Sequence, residues 1–191
     1  IAGMLEEEER LAETQVCVLV DRSCRPDARN LRWDLVPVRV PHGLLHAKVV
    51  VLIWERSMRV VIGSANLTRA GYRHQVELGM AIDVDDDCAV PKAVFEDLLR
   101  ELRGILALAP GALDRAGPKQ RAERILQRFE SRLSSLNFKP SASQGLKFAL
   151  AAGSRDSRPL DRLGDVWSGS PPQTVVAMSP FWDDTPDMAG A

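Results

Sequence analysis

Apolar and polar positions along the chain follow two regimes. Before about residue 85, apolar residues form short β-branched runs separated by turn residues; beyond it they recur at three- and four-residue spacing. QVCVLVD (15–21) predicts a strand, and SCRPDARN (23–30) a loop. DLVPVRV (34–40) alternates and predicts a second strand, with Pro37 marking an edge or a bulge. After the turn PHG, LLHAKVVVLIW (44–54) predicts a strand, ERS a turn and MRVVIGSAN (58–66) its hairpin partner. LTRAGYRHQ (67–75) connects to a further strand, VELGMAIDV (76–84). PKAVFEDLLRELRGILAL (91–108) then has helical periodicity and opens on Pro; PGALDRAGP breaks it; KQRAERILQRFESRLSSL (119–136) is a second amphipathic helix with an Arg-rich polar face. The Glu-rich residues 4–14 predict a short helix.

The 44–54 strand is apolar on both faces apart from His46 and Lys48, the pattern of a central strand covered by helices on both sides. Five strands and two long helices imply an α/β layered domain, a mixed β-sheet flanked by helices. From 139 the composition turns to Ser, Gly, Ala and Pro, and 160–173 reads as linker with a short helical turn. TVVAMSPFWDD (174–184) reads as a fresh strand. The expected division is therefore one lobe over 1–170 and, over 171–191, a linker and the first strand of a truncated second lobe. No internal repeat is present.

Composition changes this picture little. A chain of 191 residues, 45% hydrophobic and 27% charged, can bury one core. The net charge of −1 gives no global basic field, although a local basic groove can sit in a neutral protein. The Arg-rich face of the second helix can touch phosphate, or be simply a solvated face. No apolar run approaches the ~20 residues of a membrane span. The acidic start, IAGMLEEEER, lacks the apolar core of a signal peptide and opens on Ile, so a cytoplasmic fragment is expected. Cys17, Cys24 and Cys88 are odd in number and form no C-x-x-C, which favours reduced thiols over zinc or disulfide.

The chemistry concentrates in HAKVVVLIWERSMRVVIGSAN (46–66). Residues i and i+2 of a strand share a face, so His46 goes with Lys48, and Ser64 with Asn66. A hairpin closed by a three-residue loop, Glu55-Arg56-Ser57, sets Lys48 opposite Ser64 and His46 opposite Asn66; a two-residue loop moves one set to the other face. The four groups suit a phosphodiester. An imidazole is a nucleophile near neutral pH, while Lys, Asn, Ser and turn N–H groups stabilise charge on non-bridging oxygens. Glu77, an odd opening for an apolar run, is the candidate partner for the second ring nitrogen of His46.

Rival motifs fail. In DVDDD (83–87) a calcium loop requires Gly where Cys88 stands and Glu where Val94 stands. His42 and His46 have helical zinc-ligand spacing, but Pro41 and Gly43 deny the helix.

HAK, then GSANLT, then GYRHQVE resembles the phospholipase D superfamily, with its His-x-Lys and Gly-Ser-x-Asn signatures. The nearest likeness is to phospholipase D-like nucleases and tyrosyl-DNA phosphodiesterase, and it covers about 15–185. Two positions depart from the pattern. The usual aspartate five residues after the lysine is replaced by Ile53, as it is lost in the tyrosyl-DNA phosphodiesterase branch, and Gln75 stands where Asn is common before Glu77.

The resemblance implies a phospholipase D-like lobe that uses neither metal nor cofactor. His46 forms a phosphohistidine, Lys48, Ser64 and Asn66 hold the phosphate, and Glu77 orients His46. It also implies a second His-x-Lys set, which His42 and His74 do not supply, so a second lobe or a homodimer must complete the site. The expected activity is a nuclease or DNA-end-processing phosphodiesterase on a nucleic acid substrate. The alternatives are a phospholipid phosphodiesterase or transferase, and a non-catalytic phosphate-binding lobe of a larger protein.

Overall fold

The computed structural model describes residues 13–24, 33–41, 43–68, 71, 73–74, 76–111, 116–139, 147–152, 161–167, 169–170 and 173–174. The strands are β1 (Cys17–Asp21), β2 (Asp34–Val38), β3 (Val49–Ile53), β4 (Met58–Gly63) and β5 (Gly79–Val84). The helices are α1 (Lys92–Ala107), α2 (Pro118–Ser135) and the one-turn α3 (Leu163–Val166), and a 3₁₀ turn over Arg22–Cys24 follows β1. Both long helices begin and end within a residue of where the periodicity puts them, with Pro91 as the N-cap of α1 and Pro118 opening α2. The strands are shorter than their apolar runs, and His46, Lys48, Ser64 and Glu77 all lie just outside strand ends. All but the first residue of the strand expected over 174–184, and most of the helix expected over 4–14, lie outside the described residues.

The pairing corrects two expectations. Parallel and antiparallel strands do not share one mixed sheet: β1 and β2 form a parallel pair, and β3-β4-β5 a separate antiparallel sheet. Nor is β3 central, since β4 occupies the middle and β3 an edge. Apolar residues on both faces of β3 suggested burial on both sides. Only Val49, Val51 and Ile53 pack against the core, while Leu52 on the opposite face remains 38% exposed.

The core lies between the sheets and the helix pair. One cluster joins Met58, Val60 and Val84 of the antiparallel sheet to Phe95, Leu98 and Leu99 of α1 and to Phe129 and Leu133 of α2. A second joins Val36 and Val38 of β2 to Leu106, Ala109 and Ala122. Leu126 packs against both, so α2 welds the two sheets into one layer-on-layer body. Polar ties fix the helices. Arg103 of α1 reaches Glu123 at 3.2 Å and Glu130 at 2.8 Å on α2. Arg121 forks onto both carboxylate oxygens of Asp34 at 2.6 Å, anchoring α2 to the start of β2.

Candidate active site

The hairpin that carries both motifs closes one residue tighter than expected. Val49 pairs with Ile62 and Ile53 with Met58. Trp54 N–H donates to the Ser57 carbonyl at 2.9 Å, leaving Glu55-Arg56 as the turn. Lys48 therefore lies opposite Gly63, whose N–H donates to the Lys48 carbonyl at 3.1 Å, and not opposite Ser64. The apolar pattern could not choose between the two registers, because every residue of β3 is apolar. Burying the β-branched Val49, Val51 and Ile53 under the helices turns Trp54 out into solvent at the bend.

By strand alternation the tighter register puts His46 and Lys48 on the face opposite to Ser64 and Asn66. The expected facing of Lys48 with Ser64 and of His46 with Asn66 is therefore lost; what meet at one end of the antiparallel sheet are three backbone segments. Beyond β4 the chain bends at Ser64. Its N–H donates to the Leu78 carbonyl at 2.9 Å, and its hydroxyl accepts from Leu78 N–H at 3.0 Å. The same hydroxyl donates to a carboxylate oxygen of Glu77. The segment before β3 arrives beside them. Lys48 folds its ammonium back onto the His46 carbonyl at 3.0 Å, which keeps the cation next to the exposed imidazole-bearing residue.

The expected contact between Glu77 and His46 is not formed; Glu77 holds Ser64 instead. The pleat explains this. Ser64 follows the core-facing Ile62 by two residues, and the bend at 64 swings it toward the start of β5, where Glu77 enters.

Two residues to which the sequence reading gave no role shape the backbone around these segments. The first is Asp21, buried at the end of β1. Its carboxylate accepts from Ser23 N–H at 2.9 Å and Ser23 hydroxyl at 2.6 Å, and from Leu45 N–H at 2.8 Å. These donors, the Ser23 hydroxyl foremost, hold its pKa below the ordinary carboxylate value. The bond to Leu45 ties the residue before His46 to the parallel sheet. An Asp closing an apolar run with Ser two residues on is a turn signal that could have found it.

The second is Gly71, buried against the backbone of Asn66. A Cβ there would sit 2.5 Å from the Asn66 carbonyl oxygen and 3.0 Å from its nitrogen. Thr68 Oγ1 accepts from Gly71 N–H at 3.1 Å, and Thr68 N–H donates to the Asn66 carbonyl at 2.7 Å. The GSANLT turn is thus folded tightly over the glycine of GYRHQ.

Other chemistry-bearing groups have structural employment. Asp83 pairs with Arg59 at 2.7 Å, Asp86 accepts from Asn137 N–H at 2.7 Å, and Asp87 pairs with Lys139 at 2.6 Å. The DVDDD run therefore clamps the segment after α2. Among the described residues no three His, Cys, Asp or Glu side chains are grouped as a metal site. Cys17 is half-buried, Cys24 exposed and Cys88 buried, all as free thiols. No helix among the described residues is long and apolar enough to cross a membrane. Comparison with family models, curated proteins and solved structures returns no match.

Proposed function

We propose that this chain carries half of a phospholipase D-like active site and hydrolyses phosphodiesters of nucleic acid without a metal. One observation carries the reading: the hairpin hydrogen-bonds Lys48 to Gly63, so His-x-Lys and Gly-Ser-x-Asn lie side by side at one sheet end. His46, Lys48 and Asn66 then lie on neighbouring segments at that sheet end, groups whose chemistry suits an anion.

In the proposed reaction an imidazole nitrogen of His46 attacks phosphorus as the bond to the leaving oxygen breaks. The leaving oxygen takes its proton from a histidine of the second set. Water, deprotonated by that same histidine, then displaces His46 and releases the phosphate product. Lys48 and Asn66 offset the charge on the non-bridging oxygens. Glu77 serves by fixing Ser64, a narrower role than that implied by the resemblance.

The second set is assigned to another lobe or another copy, docked on the same sheet end. Support comes from the apolar rim around the site. Leu44 is 66% exposed, Leu67 63% and Leu78 84%, and Met80 is exposed beside them. Such a patch is costly to leave in water and fits an interface. The same rim favours one other reading, in which the apolar residues meet a lipid surface and the substrate is a phospholipid.

The test is cleavage of end-labelled single- and double-stranded oligonucleotides in EDTA by the full-length polypeptide that contains this chain, with the His46→Asn form beside it. Cleavage by the wild type alone is expected. Cleavage only of phosphatidylcholine shifts the substrate to lipid. Equal cleavage by both forms ends the nucleophile assignment, and restoration by added magnesium points to metal chemistry. Silence on both substrates leaves a binding lobe.

A further inference from the structure

A groove of about 370 Å³ runs along α2, lined by Gln15, Arg124, Gln127, Arg128 and Ser131. Every lining side chain is polar, two carry positive charge and none carries negative charge. The helix itself holds five Lys or Arg against two Glu, in a chain whose net charge is −1. Both glutamates are taken by Arg103 of the neighbouring helix. Arg121 is likewise taken by Asp34, and Arg100 and Arg162 by Asp97. Arg124 and Arg128 differ from these: among the described residues neither has a carboxylate partner, and both are exposed. They stand one helical turn apart, about 6 Å along the axis, with two amides and a hydroxyl between and beside them.

We propose that this groove binds the phosphate backbone of a nucleic acid strand, outside the His46 site. Guanidinium forks grip phosphate bidentately, and the amides and hydroxyl donate to the remaining oxygens without reading sequence. The five lining residues include no apolar side chain to insert into a membrane, and their two cations and three hydrogen-bonding groups fit the backbone of a strand. Gln15 precedes β1, and Asp21 at the far end of β1 holds Leu45 beside His46. Six extended residues put roughly 20 Å between them, a span of a few nucleotides. The groove thus holds the strand at a distance from the bond that is cut. This deepens the phosphodiesterase reading by assigning a second place where its nucleic acid substrate is held, and rests on that reading only for the link from binding to cleavage.

The experiment is fluorescence anisotropy of a labelled single-stranded oligonucleotide in EDTA, titrated over a range of salt. The His46→Asn background is compared with the same protein carrying Arg124→Gln and Arg128→Gln. Losing two phosphate contacts should flatten the slope of log K against log salt by about 1.4, which is about 25-fold in affinity at 0.1 M salt. Arg100→Gln, which removes one paired charge, should leave the slope unchanged. Thermal melts check that the exposed substitutions preserve the fold. No oligonucleotide binding by the starting protein, or an unchanged slope in the double variant, overturns the proposal. So does binding to phosphatidylserine vesicles, lost in the double variant, without oligonucleotide binding. If the slope falls as expected but the full-length polypeptide, wild type and His46→Asn alike, cleaves nothing, the groove stands and the His46 chemistry falls.

Discussion

Gly71→Ala tests how tightly the site is built. The new Cβ would sit 2.5 Å from the Asn66 carbonyl oxygen, where ordinary contact begins at 3.4 Å, a shortfall of about 0.9 Å. The opposing atoms are backbone, so no side-chain rotation relieves the clash. The GSANLT turn must move by most of that distance, or Gly71 must withdraw from Thr68. Overpacking of this kind costs about 1–3 kcal/mol, and each kcal/mol lowers the melting temperature by about 2–4 °C in a domain of this size. If Asn66 holds phosphate as proposed, a displacement near 1 Å there costs about 10²-fold in turnover. The control is Gly104→Ala in the middle of α1, where an added Cβ meets nothing within 4 Å. There alanine should stabilise by about 0.5–1 kcal/mol through helix propensity alone. Differential scanning calorimetry reads both variants, and the backbone amide NMR shift of Asn66 reads the displacement independently of any activity. A Gly71→Ala protein with wild-type melting temperature and an unmoved Asn66 amide would refute the reasoning.

Further outcomes follow from the charged and thiol groups. Asp34 is held below its ordinary pKa chiefly by the hydrogen bonds from Arg121, so its contribution is present above the ordinary carboxylate range and disappears as pH falls through the lowered value. Asp34→Asn should therefore cost about 1 kcal/mol in urea unfolding at neutral pH, with the gap to wild type closing in acid; a gap independent of pH would show that the pair is not its source. Burial pushes the Cys17 thiol up to about 11, with Asp34 adding to the rise and Arg121 opposing it, and burial raises Cys88 as well. A thiol reagent under mildly alkaline, native conditions should modify exposed Cys24 first, and prompt reaction at Cys88 would show that the core opens there.

What the sequence by itself determined was local. Three- and four-residue apolar spacing placed α1 and α2, because a helix is specified by its own face and by prolines at its start. Short β-branched runs located each strand, and HAK with GSAN marked a candidate site by residue type alone. The tertiary structure alone decided register, sheet membership and side-chain partners. In β3 every position is apolar, so alternation could not distinguish Lys48 opposite Gly63 from Lys48 opposite Ser64. The choice fell to packing of Val49, Val51 and Ile53 under the helices. A parallel strand and an antiparallel strand carry similar residues, so the split into two sheets was invisible until α2 spanned both through Leu126. Glu77 found Ser64, and Asp21 found Leu45 across 24 residues of chain, because such bonds depend on where distant backbone ends meet. No pattern along the chain encodes that distance; only the folded core fixes it.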